Sequence, residues 1–369
     1  MASDLDVLML QKELLQHPYE RRGTTMEFPA FPWQDEVTTP TETISLHNVF
    51  LHVTKACNLL CSYCYFAAHN PLPGEMRADE YRALWPALVA LQPQKIIFTG
   101  GEPLLRSDIL EMLRDLRTVD SEHRVLRCLN TNGHLVTPEL ARTMVGLVDE
   151  VRVSLDGMAA RNDVQRGEGN FEAAVRALDS CYAVGFEPKV LITVTSQSLP
   201  DLEDLLCFLV KRKFTRINLN SFRPIGRGRG YQEWQVNKQA VRDAVLRAWE
   251  CCFPGQSLPE PPEDAVQHNC GVGHFLNILP NGDVFPCHVL TDRAFRCGNV
   301  REQSLLEICQ QGGLLGKLAA LDFVELASQD ERVAALTQPH TCMGYVYAQT
   351  RSLPIWSNVL PLSSVTRAK

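Results

Sequence analysis

The chain has 369 residues, 45% hydrophobic and 21% charged, which is room for one large or two medium globular domains with a sizeable core. A formal net charge of −7 argues against a general binder of nucleic acid or membrane surfaces. No run of about eighteen apolar residues reads as a membrane span and no N-terminal segment as a secretion signal; thirteen cysteines then suggest thiols kept reduced, in a cytoplasmic setting.

Residues 1–45 stand apart as an N-terminal extension. Leu5 to Leu15 suits a short helix, and Pro29, Pro32 and Pro40 then break up Glu27 to Thr43. Over residues 46–250 apolar runs alternate with helical patterns. Strands are expected at Val49–Lys55, Lys95–Thr99, Arg124–Asn130, Glu150–Leu155, Lys189–Thr195 and Arg216–Ser221. Helices are expected near Ala78–Leu91, Ser107–Leu116, Pro138–Leu147, Phe171–Val184, Leu202–Lys211 and Asn237–Cys252, the first kinked or split at Pro86. Six strands with interleaved helices imply an α/β fold with parallel pairing and right-handed crossovers. That is too few for eight units, so a partial (β/α)6 barrel of the TIM type is the natural closure, with its chemistry on loops at the strand carboxyl ends.

After a proline-rich stretch, Pro254 to Pro262, the βα rhythm stops. Phe275–Leu279, the Asn281-Gly282 turn and Val284–Pro286 read as a hairpin inside a second, smaller module covering residues 251–369.

The first strand runs straight into Cys57-Asn58-Leu59-Leu60-Cys61-Ser62-Tyr63-Cys64. Three thiolates this close can hold three irons of a four-iron cluster, which ordinarily takes four cysteines, so one iron stays open. A zinc site shares the C-x2-C fragment, but it usually brings a second pair, and none follows nearby. The second strand ends in Gly100-Gly101-Glu102-Pro103, where glycines allow close backbone approach and Glu102 can accept hydrogen bonds from a cationic amine.

Together, the C-x3-C-x2-C loop with Tyr63 before its last cysteine and Gly100 to Pro103 resemble the radical S-adenosylmethionine superfamily. Asn130-Thr131-Asn132-Gly133, Val153-Ser154-Leu155-Asp156-Gly157 and Arg166-Gly167 follow in the family's order. The resemblance implies a [4Fe-4S] cluster on Cys57, Cys61 and Cys64, with S-adenosylmethionine chelating the open iron. One-electron cleavage would yield a 5′-deoxyadenosyl radical that abstracts substrate hydrogen. It implies that Gly100, Gly101, Glu102 and Pro103 bind the cofactor, with Glu102 on its amine. Tyr63 would lie near the adenine, and Asn132, Ser154 and Arg166 near ribose or carboxylate. Ser154 and Asp156 read equally as a polar turn closing a strand, and Arg166 has a surface salt bridge as its alternative. The resemblance also implies an electron donor such as flavodoxin or ferredoxin.

The C-terminal module, with Cys270, Gly282, Cys287, Gly298-Asn299-Val300 and Ser304 to Ile308, resembles the SPASM/twitch extension of that superfamily, a carrier of auxiliary iron–sulfur clusters. Aligned on Cys342, the full pattern puts Val333, Leu336 and Val346 where cysteines belong. Two complete auxiliary clusters are therefore not expected; one, on Cys270, Cys287 and Cys342 or Cys297, remains, against a module without metal. His288 beside Cys287 reads as ligand or as structure. Arg223-Pro224-Ile225-Gly226-Arg227-Gly228-Arg229-Gly230 reads as an anion grip or a solvated connection. Family members with this extension often modify ribosomally made peptides, so peptide maturation leads. Small-molecule tailoring is the rival, and a non-catalytic iron–sulfur regulator a third reading.

Overall fold

The computed structural model describes residues 43–258 and 272–320. The Leu5–Leu15 helix, Pro259 to Pro262, Cys270 and Cys342 lie outside the described residues.

The first six strands are β1 (Asn48–Thr54), β2 (Lys95–Gly100), β3 (Leu126–Thr131), β4 (Glu150–Ser154), β5 (Lys189–Val194) and β6 (Ile217–Ser221). Between and after them run α1 (Ala78–Ala90), α2 (Ile109–Val119), α3 (Pro138–Met144), α4 (Ala159–Arg166), α5 (Asn170–Ala183), α6 (Leu202–Lys211) and α7 (Lys238–Cys252). The strands pair parallel in chain order, which is the partial barrel expected from the alternation. Val49, Leu51 and Val53 of β1 are fully buried among the helices with Tyr81, Trp85 and Phe98. By the period-two alternation of a strand, Phe50, His52 and Thr54 face the barrel interior.

Helix α1 runs unbroken through Pro86, so the proline does not split it. An interior proline costs about 3 kcal/mol. Tyr81, Trp85 and Leu88 are each fully buried, and at about 1.5–3 kcal/mol per side chain their burial outweighs that cost.

The hairpin forms as β7 (Phe275–Ile278) and β8 (Asp283–Phe285), with Gly282 at φ +89° in its turn. β7 pairs in parallel with β1, and β9 (Gly298–Asn299) closes a nine-stranded sheet in the order β6-β5-β4-β3-β2-β1-β7-β8-β9. The module is thus hydrogen-bonded edge-on to the barrel, and short helices α8 (Leu305–Ile308) and α9 (Leu314–Ala319) follow.

At the amino ends of the strands lies a buried charge cluster. Glu150 pairs with Arg152, with Lys189 at 3.4 Å and with Arg216, while Arg127 pairs with Asp149 at 2.9 Å. The carboxyl ends stay clear for the cysteine loop. Among the described residues no helix is long and apolar enough to cross a membrane.

Candidate active site

The cysteine loop leaves β1 at its carboxyl end and folds back on itself. Cys57 N donates to His69 O at 2.9 Å and His69 N to Lys55 O at 3.0 Å. Glu75 staples both ends, accepting from Thr54 Oγ1 (2.8 Å), Lys55 N (2.7 Å) and Leu72 N (2.8 Å). Cys57, Cys61 and Cys64 are all half-buried and unpaired by disulfides. Burial pushes the Cys57 thiol up and Cys61 up to about 11; neighbouring thiolate charge adds to this, and Arg166 opposes it at Cys61. Among the described residues no three His, Cys, Asp or Glu side chains close on a single ion position. A cubane places each cysteine on a different iron, so three spaced thiols on a pinned loop fit it.

Next to the loop, Gly101 N donates to Thr54 O and Glu102 N to Ala56 O, both at 2.8 Å. A Cβ on Gly101 would collide with the Ala56 carbonyl, so only glycine lets the two segments touch. Pro103 is buried and opens a single 3-10 turn, Pro103–Leu105. The Glu102 carboxylate has no exposed surface. It accepts from Leu104 N (3.2 Å), Thr131 Oγ1 (2.9 Å) and Asn132 N (2.7 Å). Burial raises its pKa to about 7 against these three hydrogen bonds. Of roughly four lone-pair positions on a carboxylate, one is left for an outside donor.

Asn132, just past β3, donates to Asn58 Oδ1 at 2.8 Å and so ties that strand to the cysteine loop. Ser154 ends β4 half-buried. Arg166 is buried and makes a bidentate pair with Asp156, Nε to Oδ2 at 2.6 Å and Nη2 to Oδ1 at 3.2 Å. Asp156 also accepts from the Tyr63 hydroxyl and from Thr193 N at 2.7 Å, and the guanidinium carbon lies 5.5 Å from the Tyr63 ring centre. The surface salt bridge read for Arg166 is thus an interior one. Sequence reading also passes over α4, whose polar run shows no apolar periodicity. Asn162 in that helix accepts from Asp156 N at 3.0 Å and donates to Asn170, which donates to Asn132 O at 3.0 Å, linking two strand ends.

Inside the barrel, His52 and Asn277 are buried with no hydrogen bond of normal geometry on any side-chain nitrogen or oxygen. Burial holds His52 down to about 3, hence neutral. Asn277 is in register with Phe50 and shares the interior face. Phe66 lies 4.3 Å and Tyr65 6.1 Å from the His52 ring, centre to centre. Tyr65 in turn stands 5.6 Å from His288, next to the buried Cys287. Cys297 is half-buried near Cys309.

Residues 51–219 match the radical SAM superfamily model, and residues 270–318 match an iron–sulfur cluster-binding domain of the SPASM type. An AdoMet-dependent heme synthase of Nitratidesulfovibrio vulgaris is 31% identical over 69% of this chain and 76% of its own length. The chain belongs to the radical SAM superfamily.

A mycofactocin maturase, MftC of Mycolicibacterium smegmatis, is 32% identical over 67% of this chain. The match spans 66% of that maturase, just under two thirds of its length. Among solved structures, Streptococcus suis SuiB bound to S-adenosylmethionine superposes with a TM-score of 0.60 at 16% identity. That match covers 75% of this chain and 68% of SuiB, and shows the shared fold; SuiB has also been crystallised with its precursor peptide SuiA. The radical SAM domain brings a [4Fe-4S] cluster and S-adenosylmethionine, and the SPASM domain brings auxiliary iron–sulfur chemistry.

Proposed function

We propose that this radical SAM enzyme matures a ribosomally made peptide. Cys57, Cys61 and Cys64 hold the cluster. The last lone pair of Glu102 takes the cofactor amine, while Tyr63, Asn132, Ser154 and the outer edge of Arg166 contact its nucleoside and carboxylate. When bound, the cluster and S-adenosylmethionine supply one-electron cleavage and a hydrogen-abstracting radical. The electron comes from a flavodoxin or ferredoxin. Cys61, with its raised pKa, must give up a proton as the cluster loads. Cys270 and Cys287, with Cys342 or Cys297, hold one auxiliary cluster.

One observation carries the peptide reading. The interior offers His52 and Asn277, neutral groups that each donate and accept; they stand beside each other, but neither makes a hydrogen bond of normal geometry. An unmet buried polar group costs about 1–3 kcal/mol, which a peptide amide, itself donor and acceptor, would offset. The cations Arg127, Arg152, Lys189 and Arg216 at the amino ends of the strands are already engaged in ion pairs with Asp149 and Glu150. The mycofactocin maturase relative and SuiB's co-crystallised precursor peptide agree with this reading.

A second reading rests on Arg223, which lies beside His288 and makes no ion pair among the described residues. It would suit a carboxylate-bearing small molecule, in keeping with the heme synthase relative. The test incubates anaerobically reconstituted protein with reductant, S-adenosylmethionine and peptides encoded by short reading frames beside the gene. A mass change on a peptide, lost in Cys61→Ala, supports maturation. Cofactor cleavage with no peptide changed, but with a carboxylate-bearing small molecule consumed, moves the assignment to the second reading. No cofactor cleavage at all would point to a regulator.

A further inference from the structure

The basic glycine-rich loop after β6 does more than connect. Its Arg227 reaches under the cysteine loop: Nε donates to Cys61 O at 2.9 Å and Nη1 to Ala68 O at 2.7 Å. Its backbone N–H donates to Cys64 O at 3.0 Å. One residue, 163 positions from Cys64 by sequence, therefore holds the carbonyls of two of the three cysteines. The flanking glycines permit this approach. A Cβ at Gly226, where φ is +58°, would run into the backbone of Cys64 and Tyr65, and one at Gly228 would crowd Phe222.

Two features separate Arg227 from an ordinary structural arginine. It forms no ion pair among the described residues, although Arg166, the other arginine at the loop, is paired with Asp156. Its Nη2 is buried without any acceptor. A half-buried guanidinium with no counter-charge, and with Nη2 buried and unmet, is unfavourable in the bare protein. Three thiolates on a reduced iron–sulfur cluster supply the missing negative charge.

We propose that Arg227 is an outer-sphere positioning residue of the cluster: its side chain clamps the cysteine loop through two main-chain carbonyls and its uncompensated charge raises the cluster's reduction potential. Outer groups that orient ligands change metal affinity about 10–100-fold on mutation, and nearby charge and hydrogen bonding are recognised controls on cluster potential. The inference rests on the cluster being held by Cys57, Cys61 and Cys64.

The experiment compares wild type, Arg227→Gln, Arg227→Lys and the triple cysteine-to-alanine variant, all reconstituted anaerobically as full chains. Two quantities are read: the rate of iron loss to a chelator and the midpoint potential from a titration followed by electron paramagnetic resonance. Arg227→Gln is expected to lose iron about tenfold faster and to titrate at a more negative potential. Arg227→Lys keeps the charge without the planar fork, so it retains the potential but loses iron faster. Should Arg227→Gln not load at all while its apoprotein unfolds like wild type, the clamp is supported and the lysine variant reports the potential. Wild-type iron loss and potential in Arg227→Gln would overturn the proposal. An unchanged signal in the triple variant would instead overturn the cluster assignment beneath it.

Discussion

Asp156 accepts Nε of Arg166 at 2.6 Å while having no exposed surface itself, so a buried carboxylate joins the end of β4 to the end of α4. The same carboxylate takes the Tyr63 hydroxyl, which fastens the cysteine loop to both. Asp156→Ala leaves the buried Arg166 uncompensated and should cost about 3–5 kcal/mol. Chemical unfolding of the apoprotein measures this; a loss under about 1 kcal/mol would mean the pair behaves as a surface bridge.

Gly101 faces the Ala56 carbonyl with no room for a methyl group. Gly101→Ala must push the cysteine loop away from the end of β2, at a cost of about 1–3 kcal/mol. Iron uptake should fall together with the unfolding midpoint. Full iron content with unaltered stability would show that the two segments part freely.

His52→Leu removes a buried imidazole that makes no hydrogen bond of normal geometry. The apoprotein should be as stable as wild type or about 1 kcal/mol more stable. Product formation should fall at least tenfold, while S-adenosylmethionine cleavage without substrate persists. Equal loss of both activities would place His52 in cofactor binding rather than substrate recognition.

Glu150 responds to acid. Burial alone would raise its pKa, but Arg152, Lys189, Arg216 and Lys95 outweigh burial and hold it at about 2 against the usual 4.5. A folded-state pKa below the unfolded one gives stability that is complete above about 4.5 and lost as pH falls toward 2. Glu150→Gln should therefore be less stable than wild type at pH 7, with the gap closing across that acid window. A gap that stays constant with pH would exclude the linkage.

Iron and sulfide counts separate the two cluster sites. The variant with Cys57, Cys61 and Cys64 changed to alanine should keep about four irons if an auxiliary four-iron cluster is present. Adding Cys287→Ala should remove them. No iron in the first variant would leave the C-terminal module without a metal role.

The six barrel strands were legible because each is a short apolar, β-branched run between polar breaks, and the three cysteines were legible because cluster ligation demands close spacing. Helix α4 was not, since Ala159–Arg166 buries Asn162, Gln165 and Arg166 rather than an apolar stripe. Pro86 misled for a related reason: local backbone preference says break, and the burial of Trp85 and Tyr81 overrides it.

By itself the sequence determined the cysteine loop, the order of motifs along the barrel and the family they belong to, because these depend on spacing between near neighbours in the chain. Tertiary structure alone decided who holds that loop. Glu75, Asn132, Asp156 and Arg227 converge on it from four separate segments. Hydrogen bonds and ion pairs between residues tens to over a hundred positions apart leave no period or spacing to read. They exist only once the parallel strands have brought their carboxyl ends to one face.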